Sequence, residues 1–543
     1  MFAGIGLSRV AGLVRERAIA YFLGTSGSVD AFRVAFRVPN LLQNLLGEGV
    51  LSASFIPGYS RLLAENRDED AGRMAGAVAG LLGIVAGLSV LAGVLLAEPL
   101  TALLAPGWRG AGDPRFDQAV TMMRVLFPAV GLLVLSAWCL GVLNSHRRFF
   151  LSYVAPVVWN AAQVSALIAA GLWGLGIEEL ALALAWGVLA GSALQLLIQL
   201  PSVMRLIGEL RLSADVSFPP VRQAVRAFFP VVAGRGVIQL MTFVEIMLAS
   251  FLAVGAVAML GYAQQLYILP ISLFGMSVAA AELPELSTTS HHARGALAER
   301  LRAGMARIAF FVAPTVLAYL VLGPLIVGAL YRTGQFGPED TIAVWLVLAA
   351  FSVGLVASTS SRLLQSALYA ANHAAAPAKV AAVRVLVAAG IGAALMLPLD
   401  RVEVVDGGLA LVGEEPSVCA VVDDGPVECP RLGAVGLALG AGVSAWLEYA
   451  LLRRAVRRRL GVLVRAGGGR MMRTLAAVAV ATLVAVPAAA WLPGHPLVAG
   501  PLACLGTGVA YLLAAERLGL RELPALGSLA RLFRPSDDGG DSR

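Results

Sequence analysis

Charge is the scarcest commodity in this sequence. Asp, Glu, Lys and Arg make up 14% of 543 residues, against 58% hydrophobic residues, and the mean hydropathy is +0.80. A soluble chain of this length needs far more charge to cover its surface, so the composition excludes an ordinary globular protein and places the chain in the membrane class. Strand-like alternation is missing too, which excludes a closed barrel and leaves helices as the spanning elements. Four cysteines are too few for a disulfide scaffold, and Cys139 reads as packing inside an apolar run. Five histidines show no metal-ligand spacing on one helical face, so no metal site is expected. The glycines at 467–469 have no P-loop lysine or following strand, and no nucleotide-binding module or catalytic motif is found. Neither an enzyme nor a bound cofactor is expected. No clean apolar core with a cleavage site opens the chain, because Arg9, Arg15, Glu16 and Arg17 interrupt its first segment.

What is present is apolar runs of spanning length. About 14 spans are expected, near 4–24, 29–57, 74–97, 119–143, 152–174, 178–200, 226–253, 256–284, 304–330, 340–370, 379–398, 433–452, 474–492 and 496–515. The net charge of +7 does not point to nucleic acid, because the basic residues sit in short connections. With a cytoplasmic N-terminus, Arg61, Arg67, Arg73, Arg147, Arg148, Arg205, Arg211 and the Arg453–Arg459 cluster all fall on the cytoplasmic side, while few arginines fall opposite. Both termini are then cytoplasmic. The longest exterior loop, 399–432, is acidic and holds Cys419 and Cys429 in CAVVDDGPVEC, where a disulfide could close a short hairpin; two free thiols are the alternative. The tail at 516–543 ends in SDDGGDSR and reads as disordered.

An internal repeat organises the chain. FLGTSGSVDAFRVAFRVPNLLQNLLGEGVLSASFIPGYS resembles FLAVGAVAMLGYAQQLYILPISLFGMSVAAAELPELS, with Pro57 over Pro284 and Ser60 over Ser287. The same offset sets Asn144-Ser145-His146 over Ala371-Asn372-His373. Two duplicated halves around a cavity are a transporter architecture. Pro39, Gly47 and Gly49 interrupt the second span, and Pro270 and Gly275 interrupt its repeat partner. Broken helices in corresponding positions point to a substrate site and its moving parts.

The first two spans carry Arg9, Arg15, Glu16, Arg17, Asp30, Arg33, Arg37 and Glu48. A charge at the bilayer centre costs at least ~2.5–3.5 kcal/mol on insertion scales, so such groups face a protein interior or a watery cavity. Guanidinium suits phosphate because its planar fork donates two parallel hydrogen bonds and stays protonated. The set reads as an anion site, with the alternative that Arg17 and Arg33 snorkel outward and Asp30 caps the second helix. Arg235 and Glu245 add charge at membrane depth in the seventh span.

The segment SRVAGLVRERAIAYFLGTSGSVDAFRVAFRVPNLLQNLLGEGVLSASFIP resembles the lipid II flippase family (MurJ, also called MviN). LNSHRRFFLSYVAPVVWN, ASFLAVGAVAMLGYAQQL and LYRTGQFGPEDT support it. The resemblance spans essentially the whole chain and implies the multidrug/oligosaccharidyl-lipid/polysaccharide exporter fold in the bacterial cytoplasmic membrane. It implies an N-lobe at 1–208, a C-lobe at 209–460 and two lipid-groove helices at 461–515. It also implies alternating access, with lipid II carried from inner to outer leaflet, driven by membrane potential or a cation gradient. The implied partners are lipid II, membrane lipids and cell-wall synthesis proteins. Arg9 and Arg15 fall on the family's cavity arginines, and Asp30 and Glu48 on its acids. Gln43-Asn44 and Gln264-Gln265 depart from the family's basic pair and Asp-Arg pair, which removes two expected arginines. Arg37 and Arg235 are the residues placed to restore that charge. Exporters of another polyprenyl-linked glycan or of small molecules, and a scaffold that binds lipid precursor without moving it, are the competing readings.

Overall fold

Backbone polar groups buried in hydrocarbon must be satisfied within their own segment, and the apolar runs accordingly fold as helices. The computed structural model describes residues 2–110, 112–208, 211–275, 294–371, 373, 375–412, 418–422, 425–462, 468–491 and 496–520. The side chains of Glu48, Arg235 and Cys419, and position 284 of the repeat, lie outside the described residues. The helices are α1 (Phe2–Leu23), α2 (Gly27–Leu46), α3 (Glu48–Ser54), α4 (Ile56–Ala64), α5 (Asp68–Leu95), α6 (Ala97–Leu104), α7 (Pro114–Ser145), α8 (Phe149–Leu172), α9 (Ile177–Ile207), α10 (Pro219–Ala249) and α11 (Ala256–Pro270). They are followed by Arg294–Val321, Gly323–Tyr331, Pro338–Ser352, Leu355–Ala370, Ala375–Leu399, Gly433–Leu460, Gly468–Trp491 and Pro496–Arg517.

Among the described residues, nine helices are long and apolar enough to cross a membrane, or ten if Pro338–Ser352 and Leu355–Ala370 form one span. The expected count of 14 is therefore not reproduced by length and apolarity alone. Helices α1 and α2 show why, since each is long enough but carries charges at Arg9, Arg15, Glu16 and Arg17, or at Asp30, Arg33 and Arg37.

The chain forms two compact units. One comprises Met1–Gln265, Leu330–Phe351 and Ala381–Ser444; the other comprises Leu266–Ala329, Ser352–Val380 and Ala445–Arg543. In the first, a core of Phe55, Tyr59, Met74, Trp138 and Leu143 joins the ends of α3, α4, α5 and α7. Close helix approach there uses small residues, as expected where hydrocarbon offers no hydrophobic drive between helices. A Cβ on Gly191 of α9 would sit 2.8 Å from the Trp159 carbonyl oxygen of α8, so only glycine admits that contact. In the second unit, Arg294–Val321 packs through Phe310 and Leu317 against Ala477, Ala481, Tyr511 and Ala515 of the last two helices. Tyr511 seals the contact by donating to the Phe310 carbonyl at 2.7 Å.

The acidic loop holds two antiparallel hairpins. β1 (Val402–Val405) pairs with β2 (Gly408–Leu411), and β3 (Val418–Val422) pairs with β4 (Gly425–Glu428). The first turns on Asp406 and Gly407, both at positive φ (49° and 76°), as a tight two-residue hairpin turn requires. Cys429 is buried and disulfide-bonded, whereas Cys139 and Cys504 are free.

Candidate functional site

Within the first unit, α1, α2, α3, α7, α8 and α9 enclose a cavity of about 540 Å³. Among the described residues lining it, Arg15 is the one charged side chain. The rest of the polar wall comes from Gln43 and Asn44 on α2, Ser52 on α3, Trp159 and Asn160 on α8, and Gln195 on α9.

Arg15 is held from two directions. Its Nη2 donates to Glu16 Oε1 at 2.7 Å, and its guanidinium lies 5.2 Å from the Trp159 ring centroid. Trp159 is itself fixed, donating from Nε1 to Ser192 Oγ at 3.2 Å and pressed by Gly191. Glu16, buried, accepts a second bond from Arg33 Nη2 at 3.2 Å. Arg33 does not snorkel outward: its guanidinium stacks 4.6 Å from the centroid of Tyr262. One carboxylate against two guanidinium groups leaves this network with a net positive charge. Arg15 Nε is buried with no hydrogen-bond partner, and Asn160 Oδ1, next to Trp159 on α8, is likewise unpartnered. Buried polar atoms are usually hydrogen-bonded, so an exception beside a cavity is a place where a ligand could supply the missing partner. The cavity therefore presents a rigid cation with spare donor capacity, next to amides that can bond hydroxyl, amide or phosphate oxygen.

The other expected residues are distributed more widely. Asp30 is fully buried and does not line the cavity; its Oδ2 and Oδ1 accept the backbone N–H groups of Gly255 and Ala258 at 2.7 Å each. It thereby caps α11 rather than α2, and Arg115 Nη1 completes its shell at 3.2 Å. Arg9 is exposed on α1 and is absent from the cavity lining. Arg17 is tied to the Leu330 carbonyl at 3.1 Å. Arg37 faces Phe243 at 6.0 Å, and Glu245 is buried and bonded by Gln264 Nε2 at 3.0 Å. Gln264, one of the family departures, thus serves as partner to a buried acid.

The breaks fall where glycine and proline put them. α2 runs through Pro39 and stops at Gly47, where a Cβ would collide with the carbonyl oxygen of Gln43. α3 restarts at Glu48, so Gly47 and Gly49 both open onto the cavity. α11 ends at Pro270 and passes into a π-helical turn, Ile271–Gly275. Trp159, Asn160 and Gln195 were not singled out by the sequence reading. The first two stand in VVWN, one end of a segment that carries the family resemblance, but their role depends on helices far apart in the chain.

A family model described as lipid II flippase MurJ matches residues 19–409. The chain is 30% identical over 459 residues to the lipid II flippase MurJ of Burkholderia cenocepacia, covering 83% of this chain and 82% of that protein. It is 32% identical over 384 residues to a probable lipid II flippase MurJ of Rhizobium tropici, covering 70% and 71%. In fold it is similar to the inward closed conformation of lipid II flippase MurJ, with a TM-score of 0.70 at 19% identity over 94% of this chain and 97% of the other. An inward-facing multidrug resistance transporter of the MATE family and MOP superfamily matches with a TM-score of 0.60 at 15% identity, over 84% and 95%. This helical, multi-pass membrane protein belongs to the lipid II flippase MurJ family.

Proposed function

We propose that this chain flips lipid II from the inner to the outer leaflet of the bacterial cytoplasmic membrane by alternating access. The observation that carries the reading is Arg15, a half-buried guanidinium with an unpartnered Nε on a cavity of about 540 Å³, in a chain of this family. A pyrophosphate diester is a doubly charged, acceptor-only group, and a pre-oriented guanidinium is its natural counterpart. Arg15 is assigned to the pyrophosphate and Gln43, Asn44, Asn160 and Gln195 to oxygen-rich neighbouring parts of the substrate. Arg9, Arg37, Glu48 and Arg235 are assigned to the substrate path at its edges, and Asp30 to holding the start of α11. The breaks at Gly47 and after Pro270 are assigned as hinges.

The duplicated lobes at 1–208 and 209–460, the lipid-tail groove at 461–515 and the cytoplasmic termini belong to the same proposal. So does a driving force from membrane potential or a cation gradient. Cell-wall synthesis proteins are the natural neighbours of such a flippase.

Complementation of a bacterium depleted of its own lipid II flippase tests this, read together with the accessibility of the precursor at the outer leaflet. Rescue with outward precursor is expected. A correctly inserted, well-expressed chain that fails to rescue, yet moves another polyprenyl-linked glycan, would shift the assignment to that substrate. The amides Gln43 and Asn44 on the cavity wall are what would favour such a glycan.

A further inference from the structure

A second cavity, about 560 Å³, opens where the C-terminal ends of α7 and α9 meet the start of α8. Arg147, Arg148 and Arg205 line it together with Ser202, and Phe150 and Leu206 form its apolar side. Among the described residues, no acidic residue lines it. Elsewhere on the side that the charge bias assigns to the cytoplasm, Arg61 pairs with Glu65, Arg67 with Asp70 and Arg73 with Asp215. Arg147, Arg148 and Arg205 have no ion pair among the described residues.

Local structure aims them. The α7–α8 turn is closed by backbone bonds from His146, Arg147 and Arg148 back to Val142, Asn144 and Leu143. Arg147 takes a left-handed φ of 59° within it, and both arginines reach the cavity wall. Arg205, in the last turn of α9, approaches from the facing helix. A cation there gains from the helix dipole alone. That gain explains one arginine, but not three converging on a single cavity beside Phe150, which is 81% exposed.

We propose that this cavity binds the headgroup phosphate of an anionic membrane lipid, with its acyl chains against Phe150 and Leu206. The three helices are apolar up to this point, which sets the cavity at the boundary between hydrocarbon and water. A phosphodiester offers the acceptors that three guanidinium groups and a serine hydroxyl lack, and the lipid tail covers an aromatic ring that water would leave bare. The site is separate from the Arg15 cavity and does not depend on which substrate is flipped.

The test is native mass spectrometry of the full chain in neutral detergent, titrated separately with phosphatidylglycerol, phosphatidylcholine and inorganic phosphate. The variant R147Q/R148Q/R205Q is compared with R457Q/R458Q/R459Q, which neutralises another basic cluster. Phosphatidylglycerol affinity is expected to fall by roughly fivefold per arginine, of order a hundredfold for the first triple variant, and to be unchanged in the second. Arg205→Gln alone, the mildest change, should show about the fivefold step if the triple variant does not fold. Equal losses in the two triple variants, equal binding of phosphatidylcholine, or displacement of phosphatidylglycerol by inorganic phosphate at equal concentration would each overturn the proposal.

Discussion

Two clusters of arginine and carboxylate share helix α2, one reaching to α7 and α11 and the other to α1, and they are built to opposite ends. Around Asp30 every bond is made: two backbone N–H groups and Arg115 meet the carboxylate, and Asp113 takes the far side of the same guanidinium at 2.6 Å. Around Glu16 the count is left open, with Arg15 Nε buried and unbonded beside a cavity. A closed network stabilises one arrangement because breaking it strands a charge. An open one leaves donor capacity unused, which is what the proposed binding role of Arg15 draws on. Residue type alone does not separate them, since both are Arg and Asp or Glu in spans of similar composition.

The comparison breaks first at Asp30. Asp30→Ala leaves the Gly255 and Ala258 N–H groups without their acceptor and Arg115 with one carboxylate fewer, which should cost about 3–5 kcal/mol of stability. Thermal unfolding in detergent reads this, and an unchanged midpoint would show that Asp30 is not part of the framework. Arg15→Ala should do the reverse. Transport is expected to fall about a hundredfold, as when a buried, hydrogen-bonded charge loses its partner, while the unfolding midpoint moves less than for Asp30→Ala. A leaflet-accessibility assay measures it, and transport at the level of the unsubstituted protein removes Arg15 from the site.

Gly47→Ala sharpens the contrast at the break between α2 and α3. The added methyl meets the Gln43 carbonyl, and the overpacking should cost about 1–3 kcal/mol or straighten the turn that opens the cavity. Unfolding and transport measured on the same variant distinguish these two outcomes. The smallest effect lies at the surface. Hydrogen bonds from Ser217 and then the ion pair with Arg73 lower the Asp215 carboxyl to about 2. A depressed carboxylate stabilises the fold above its unfolded value and loses that contribution as pH falls through its folded value. The midpoint difference between the unsubstituted protein and Asp215→Asn should therefore be present at neutral pH and fade between about pH 4 and pH 2. A difference that persists at pH 2 would assign it to something other than the charge.

How much of this was legible in advance differs from residue to residue. Arg15 could be found from sequence because a guanidinium at membrane depth needs a reason, and the family resemblance supplied one. Gly47 could be found because glycine inside a span interrupts it. The Asp406-Gly407 hairpin carried a readable signal, an Asp-Gly pair between apolar, partly β-branched runs, but the acidic loop around it hid the strands. Trp159, Asn160 and Gln195 carried none, because an apolar helix with one aromatic and scattered amides looks like packing until its neighbours are known.

The sequence by itself determined that this is a helical membrane protein, where its second span breaks and to which family it belongs. The class and the breaks follow from composition, hydropathy and the placement of glycine and proline, all local properties of a chain in hydrocarbon, and the family from the resemblance of whole segments to known relatives. Only the tertiary structure decided that Asp30 belongs to the start of α11, that Arg33 turns inward to Glu16 and Tyr262, and that Arg15 faces a cavity with an unspent donor. Those outcomes depend on which helices meet, and a buried charge acquires its role from its partners.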